Sequence, residues 1–244
     1  MTKDGRPSRI TDIRFFHGNK YSYLKGHEDA VAFGRRIAWF LNGEGFSLGA
    51  YPQLYLFFTP IISSGAIQVT DYGGDWWHRF THVGVPPEFP DQPDASGQVT
   101  RGTVAALKTI RPDLATMIEH AEQMVIDHRE NLRFLLKSRQ TKQFTVDVSF
   151  NIAIWSQPSH MFISLTNRSD GTFLEAPPIP LLFYDQAFDL AGAIKVSRTT
   201  VDILPNQSVA ARMAAARVGD VHRMVSEFLP GKRPVSSKLV KRVG

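Results

Sequence analysis

The chain has 244 residues, 43% of them hydrophobic and 21% charged, which suits a globular protein large enough to bury a core. It contains no cysteine, which excludes disulfides, thiolate zinc sites, iron–sulfur clusters and a cysteine nucleophile. The formal net charge is +5, yet Lys232, Arg233, Lys238, Lys241 and Arg242 carry that excess within residues 231–244, leaving a neutral body.

That basic tail is expected to be solvated and disordered, and no basic stripe on a folded element calls for specific nucleic-acid binding. The start, MTKDGRPSRITDIR, is polar and carries no signal-peptide pattern. The longest apolar runs, such as LYLFFTPII, are too short to span a bilayer and include a proline. The expected location is the cytosol, with no membrane partner, so the sequons at Asn167 and Asn206 carry no meaning.

Residues 27–41, HEDAVAFGRRIAWFL, place acids in a first turn and apolar residues at Val31, Phe33, Ile37, Ala38 and Leu41, predicting an amphipathic helix. After the glycine-rich NGEGFSLGAYP, the run LYLFF reads as a buried strand closed by Thr59-Pro60. Then Gly73-Gly74 separates AIQVTDY from DWWHRFTHV, two runs rich in β-branched and aromatic residues. A two-residue glycine turn there predicts a hairpin with Val69 opposite His78 and Ile67 opposite Phe80. Ile67, Val69, Asp71, Trp76, His78 and Phe80 would share an inward face, leaving Gln68, Tyr72, Asp75, Trp77 and Arg79 on the other.

Residues 86–98, PPEFPDQPDASGQ, hold four prolines and suit a linker between an N-terminal half (1–85) and a C-terminal half (99–230). A helical pattern runs from about Val99 to Ser138, interrupted near Arg111-Pro112. FTVDVSFNIAI alternates without a miss and predicts a half-buried strand, with Phe144, Val146, Val148, Phe150, Ile152 and Ile154 inward. HMFISLTN continues an antiparallel meander. APPIPLLFYD reads as an edge or connector, Asp185 as the cap of a short helix over residues 186–195, and Thr199–Leu204 as a last strand. Residues 207–229 read as a closing helix broken near Gly219. The order predicts an α+β fold of antiparallel sheets with packed helices, as two similar helix-then-meander halves.

Several motifs invite enzyme readings. Gly45-Phe46-Ser47-Leu48-Gly49 matches a serine-hydrolase elbow, but a helix leads in and a strand leads out, the reverse of what the elbow needs. His78 and His82 lie about 13 Å apart on a strand, too far to share one metal. Asp71 and His78 lie diagonally across the predicted hairpin and could form a general-base pair. Asp71 and Asp75 offer too few oxygens for calcium. His120, Glu119, Glu122, Asp127, His128 and Glu130 lack the spacing of a helical metal site. No metal and no cofactor is therefore expected. The weak catalytic candidates are Asp71, His78 and Ser47.

The remaining surface, Gln68, Tyr72, Asp75, Trp77 and Arg79, combines Trp, Tyr and Arg, the residue types enriched at binding hot spots. RRIAWFLN followed by YPQLYLFFTP and the glycine hairpin, within a cysteine-free body, resembles bacterial immunity proteins of polymorphic or contact-dependent toxin systems. The resemblance covers about a third of the chain. It implies a protein that neutralises a toxin by direct binding, without catalysis, and it assigns no binding residues. The alternative is a hydrolase with an Asp/His or Ser-based site in a cleft.

Overall fold

The computed structural model describes residues 7–18, 21–70, 75 and 77–242. The fold is α+β, with helices packed on sheets. It divides into two compact units, Met1–Arg129 with Lys241–Gly244, and Glu130–Val240. The division falls at residue 129, not in the proline-rich stretch 86–98. That stretch belongs to the first unit, where the Phe89 ring stacks on Phe58 at 5.6 Å and leads into a helix beginning at Ala95.

The first unit contains β1 (Asp12–His17), β2 (Ser22–Tyr23), α1 (Glu28–Glu44), β3 (Gln53–Thr59), β4 (Ile67–Val69), β5 (His78–Gly84), α2 (Ala95–Ile110) and α3 (Ala115–His128). Glu28 and Asp29 sit at the positive end of α1. Its last turn closes on Gly45, whose left-handed backbone (φ 86°) lets Gly45 N–H and Phe46 N–H reach the carbonyls of Asn42 and Leu41. α2 stops at Arg111 because Pro112 cannot continue it.

The sheet order is β2-β1-β3-β5-β4. Its three central strands are parallel, and only the edge strands β2 and β4 run antiparallel. The two units therefore do not repeat one helix-then-meander pattern. β3 is buried on both sides, which explains why LYLFF is continuously apolar. One sheet face, with Phe15, Phe58 and Val83, receives the helices at Gly34 of α1 and Gly102 of α2. A methyl group at either glycine would run into those side chains.

The predicted hairpin forms with another register. Val69 lies opposite Thr81 and Ile67 opposite Val83, so the connection spans residues 70–77 instead of two glycines. The shift is three residues, an odd number, and it turns β5 over relative to β4. The cause is long-range. β5 is locked beside β3 from Gln53–His78 to Thr59–Gly84, and this puts Thr81 and Val83 on the helix side.

The second unit contains β6 (Phe134–Gln140), β7 (Phe144–Phe150), β8 (Ser159–Asn167), β9 (Phe173–Glu175), β10 (Ile179–Leu181), α4 (Gln186–Leu190), β11 (Ala193–Val196), β12 (Thr200–Leu204), α5 (Val209–Val218), β13 (Val221–Met224) and β14 (Leu229–Pro230). One antiparallel sheet runs β14-β9-β8-β7-β6, with β10 also on β8, and a second runs β11-β12-β13. In β7 the alternation holds over Phe144, Val146, Val148 and Phe150, all buried. The strand ends at Phe150, however; Ser149 and Asn151 are buried as well, and Ile154 beyond it is only half-buried. Phe188 of α4 meets Phe150 edge-on. Lys137 and Arg139 of β6 donate to the Gly192 and Ile194 carbonyls and tie the second sheet to the first.

Three further expectations are corrected. The helical pattern does not reach Ser138: α3 ends at His128, and Phe134–Gln140 is strand β6, paired to β7. The closing helix stops at Gly219 (φ 80°), and the following residues form β13 against β12. The basic tail is laid down, not loose. Arg133 N–H donates to Val235 O, while Ser237 N–H and Val240 N–H donate to Arg133 O and Leu135 O. β6 is an edge strand, and its outward backbone groups need partners that the tail supplies.

Candidate functional site

The sheet of the first unit has a second face, away from α1 and α2. Cross-strand register puts Asp12, Arg14 and Phe16 of β1 on it, beside Gln53, Tyr55 and Phe57 of β3, then His78, Phe80 and His82 of β5, and Gln68 of β4. The rings form a continuous cluster. Phe16 stacks on Phe57 at 5.0 Å, and Tyr55 lies flat against His78 at 4.2 Å with 15° between the planes. Tyr21 closes over Phe16, Tyr55, Phe57 and Phe80 with its edge toward each, and Tyr23 leans on Phe16 at 4.9 Å.

Polar groups are set into this aromatic surface. Arg14 donates through Nε to Asp12 Oδ2 at 2.8 Å, and its guanidinium lies 5.4 Å from the centre of the Tyr55 ring. Tyr55 donates to Gln53 Oε1 at 3.3 Å. Burial pushes the Asp12 carboxyl above the ordinary aspartate value, with Arg14 opposing. Burial also raises the Tyr55 hydroxyl.

His78 is only 2% exposed. Neither of its ring nitrogens has a hydrogen-bond partner among the described residues, nor does Nδ1 of His82. Burial lowers the pKa of both imidazoles. At His78 the Asp75 carboxylate opposes that shift and Arg14 adds to it. Both rings are therefore held neutral at ordinary pH. The arrangement supplies stacking surface and hydrogen-bonding capacity. It presents no activated nucleophile.

The residues expected to form one binding face are divided. Gln68 is exposed on the aromatic face, beside His82. Arg79 lies opposite Leu54 on the helix side, with its Nε buried. Asp75 is exposed and Trp77 half-buried, where the chain enters β5, and Trp77 O accepts the Gln53 N–H. Tyr72 and Asp71 lie outside the described residues, as do Gly73, Gly74 and Trp76.

Ser47 is buried, and its hydroxyl donates to the Ser8 carbonyl at 2.6 Å, so the GFSLG segment is a backbone-bonded loop. A His–Asp pair is present elsewhere. In the second unit His222 Nδ1 meets Asp202 Oδ1 at 2.5 Å, across β12 and β13. The pair borders a pocket of about 370 Å³ that also holds Asp220 but no serine or threonine. No group of three His, Asp or Glu side chains placed to hold a metal occurs among the described residues.

The sequence reading passed over Asp12, Arg14, Tyr21, Tyr23 and Tyr55. A signal for part of this was available: in DIRFFH, Asp12, Arg14 and Phe16 alternate with Ile13 and Phe15, the mark of a strand with two different faces. Comparison with protein-family models, with curated proteins and with solved structures finds no match, so the site's geometry carries the functional reading.

Proposed function

We propose that the chain is a non-enzymatic, cytosolic protein-binding protein of the immunity type, which neutralises a toxin by direct contact through the aromatic face of its first unit. The supporting observation is the exposure of Tyr21 (60%) and Tyr23 (56%) on top of a rigid ring cluster. Tyrosines held by stacking lose little side-chain entropy on binding, and each presents a flat apolar surface with a polar tip. Gln68, exposed on β4 beside His82, adds a polar group to the same sheet face. Among the described residues no helix is long and apolar enough to cross a membrane, in keeping with an aqueous partner.

The hydrolase alternative, on Asp71 and His78, gains a second His–Asp pair in Asp202 and His222. A histidine oriented by a carboxylate can act as a base. The lining of its pocket supplies no hydroxyl nucleophile, so this reading requires attack by water.

The test is a pull-down of candidate toxin domains with the wild type and with a Tyr21→Ala/Tyr23→Ala variant of unchanged circular dichroism. Toxin retained by the wild type and lost by the variant supports the proposal. Equal retention by both, or by neither, counts against it. Turnover of ester or phosphoester substrates that His222→Gln abolishes would favour the hydrolase instead.

A further inference from the structure

A second surface lies in the other unit, apart from the aromatic face. α5, VAARMAAARV, has no acidic residue. Its outward positions carry Val209, 63% exposed, and Met213, 59% exposed, together with Arg212 and Arg217. Val209, Met213 and Arg217 are spaced by four and follow one stripe of the helix. Helices of water-facing surfaces place polar residues on such a stripe, and this one is apolar and basic.

The stripe continues into a groove of about 290 Å³ whose walls include Pro178, Pro180, Leu182, Arg217 and Arg223. Leu182 is 52% exposed at its rim. Arg223 donates to the adjacent His222 carbonyl at 3.0 Å. Neither Arg217 nor Arg223 forms an ion pair with a carboxylate among the described residues, although Asp220 lines the same groove. Two guanidiniums without carboxylate partners, flanked by exposed aliphatic and thioether side chains, match a ligand that is both acidic and apolar. A guanidinium recognises a carboxylate through paired hydrogen bonds, and methionine adapts to varied apolar contacts. The exposed Val209, Met213 and Leu182 separate this surface from a purely electrostatic phosphate site, which leaves aliphatic groups uncovered.

We infer that this face docks an acidic protein segment, with carboxylates on Arg217 and Arg223 and apolar side chains over Val209, Met213 and Leu182. The inference is independent of the tyrosine face, and the two can fail separately.

A short fluorescein-labelled peptide of alternating Glu and Leu, titrated with the full chain and followed by anisotropy, tests it. Binding is expected, weakening as salt rises. Affinity is expected to fall roughly tenfold or more in Arg217→Glu/Arg223→Glu and again in Met213→Asp. Tyr21→Ala/Tyr23→Ala is expected to bind as the wild type does. Met213 and Arg217 are exposed and Arg223 is half-buried, and circular dichroism confirms that each variant folds. The inference is overturned if the peptide does not bind, or if the charge reversal leaves affinity unchanged. It is equally overturned if an all-Glu peptide or an oligothymidylate binds as tightly. Sedimentation showing a dimer that Met213→Asp dissociates would assign the face to a second copy of the chain instead.

Discussion

His78 lies flat on Tyr55, ring centroids 4.2 Å apart, with both imidazole nitrogens buried and without hydrogen-bond partners among the described residues. Burial without hydrogen-bond partners for either ring nitrogen among the described residues favours the neutral ring over the charged one. The aromatic face of the first unit therefore carries a built-in sensitivity to acid.

The sign follows from the lowered pKa values of His78 and His82. Below about pH 6.5 the unfolded chain takes up protons that the folded chain refuses, so stability is complete above that pH and declines as pH falls toward the folded-state values. Asp12, raised by burial, works in the opposite direction. His78→Phe should keep the stacking, remove the buried unpartnered nitrogens, stabilise by about 1 kcal/mol, and flatten the decline. Thermal unfolding at neutral and mildly acidic pH measures both. An unchanged pH slope in His78→Phe would show that His78 is not the sensor.

Ser47→Ala should leave any hydrolytic activity of the chain untouched, because the Ser47 hydroxyl is spent on the Ser8 carbonyl. It should cost about 1 kcal/mol of stability, the ordinary worth of such a bond. Urea denaturation reads the stability, and an esterase assay on the same preparation reads the activity. Loss of turnover without loss of stability would reinstate the serine.

Arg133 pairs with both oxygens of Glu175 and lies 3.6 Å from the centre of the Phe162 ring. Both side chains are mostly shielded from solvent. Arg133→Ala should therefore cost about 3 kcal/mol, more than a surface ion pair. Arg133→Lys should recover only part, since an ammonium cannot make the paired bonds. A double-mutant cycle with Glu175→Gln isolates the pair, and additivity of the two changes would refute the coupling.

The buried Asn42 side chain donates to the Ile10 and Lys241 carbonyls and accepts the Lys241 N–H. Asn42→Ala should destabilise by about 2 kcal/mol through unsatisfied backbone groups, and removal of residues 235–244 should destabilise at least as much. Melting temperatures of the three proteins decide it. A truncated chain as stable as the full one would mean that the tail contributes nothing.

Local order is legible in the chain itself. The 3.6-residue spacing over residues 27–41, the alternation of FTVDVSF and the unbroken LYLFF run each report how one element is buried, and each becomes α1, β7 or β3. The absence of cysteine and the neutral body are likewise properties of composition alone. What pairs with what is not local. The β4–β5 register depends on β3 lying parallel to β5, which overrides the turn suggested by Gly73-Gly74. Phe134–Gln140 becomes a strand because β7 is beside it. The tail is ordered because the open edge of β6 has backbone groups to satisfy. The aromatic face itself exists only because three parallel strands, distant in sequence, bring Arg14, Tyr55 and His78 to one side of a sheet. A side chain's period along its strand follows from the residues around it, but which strand lies next to it follows from burying the whole chain at once.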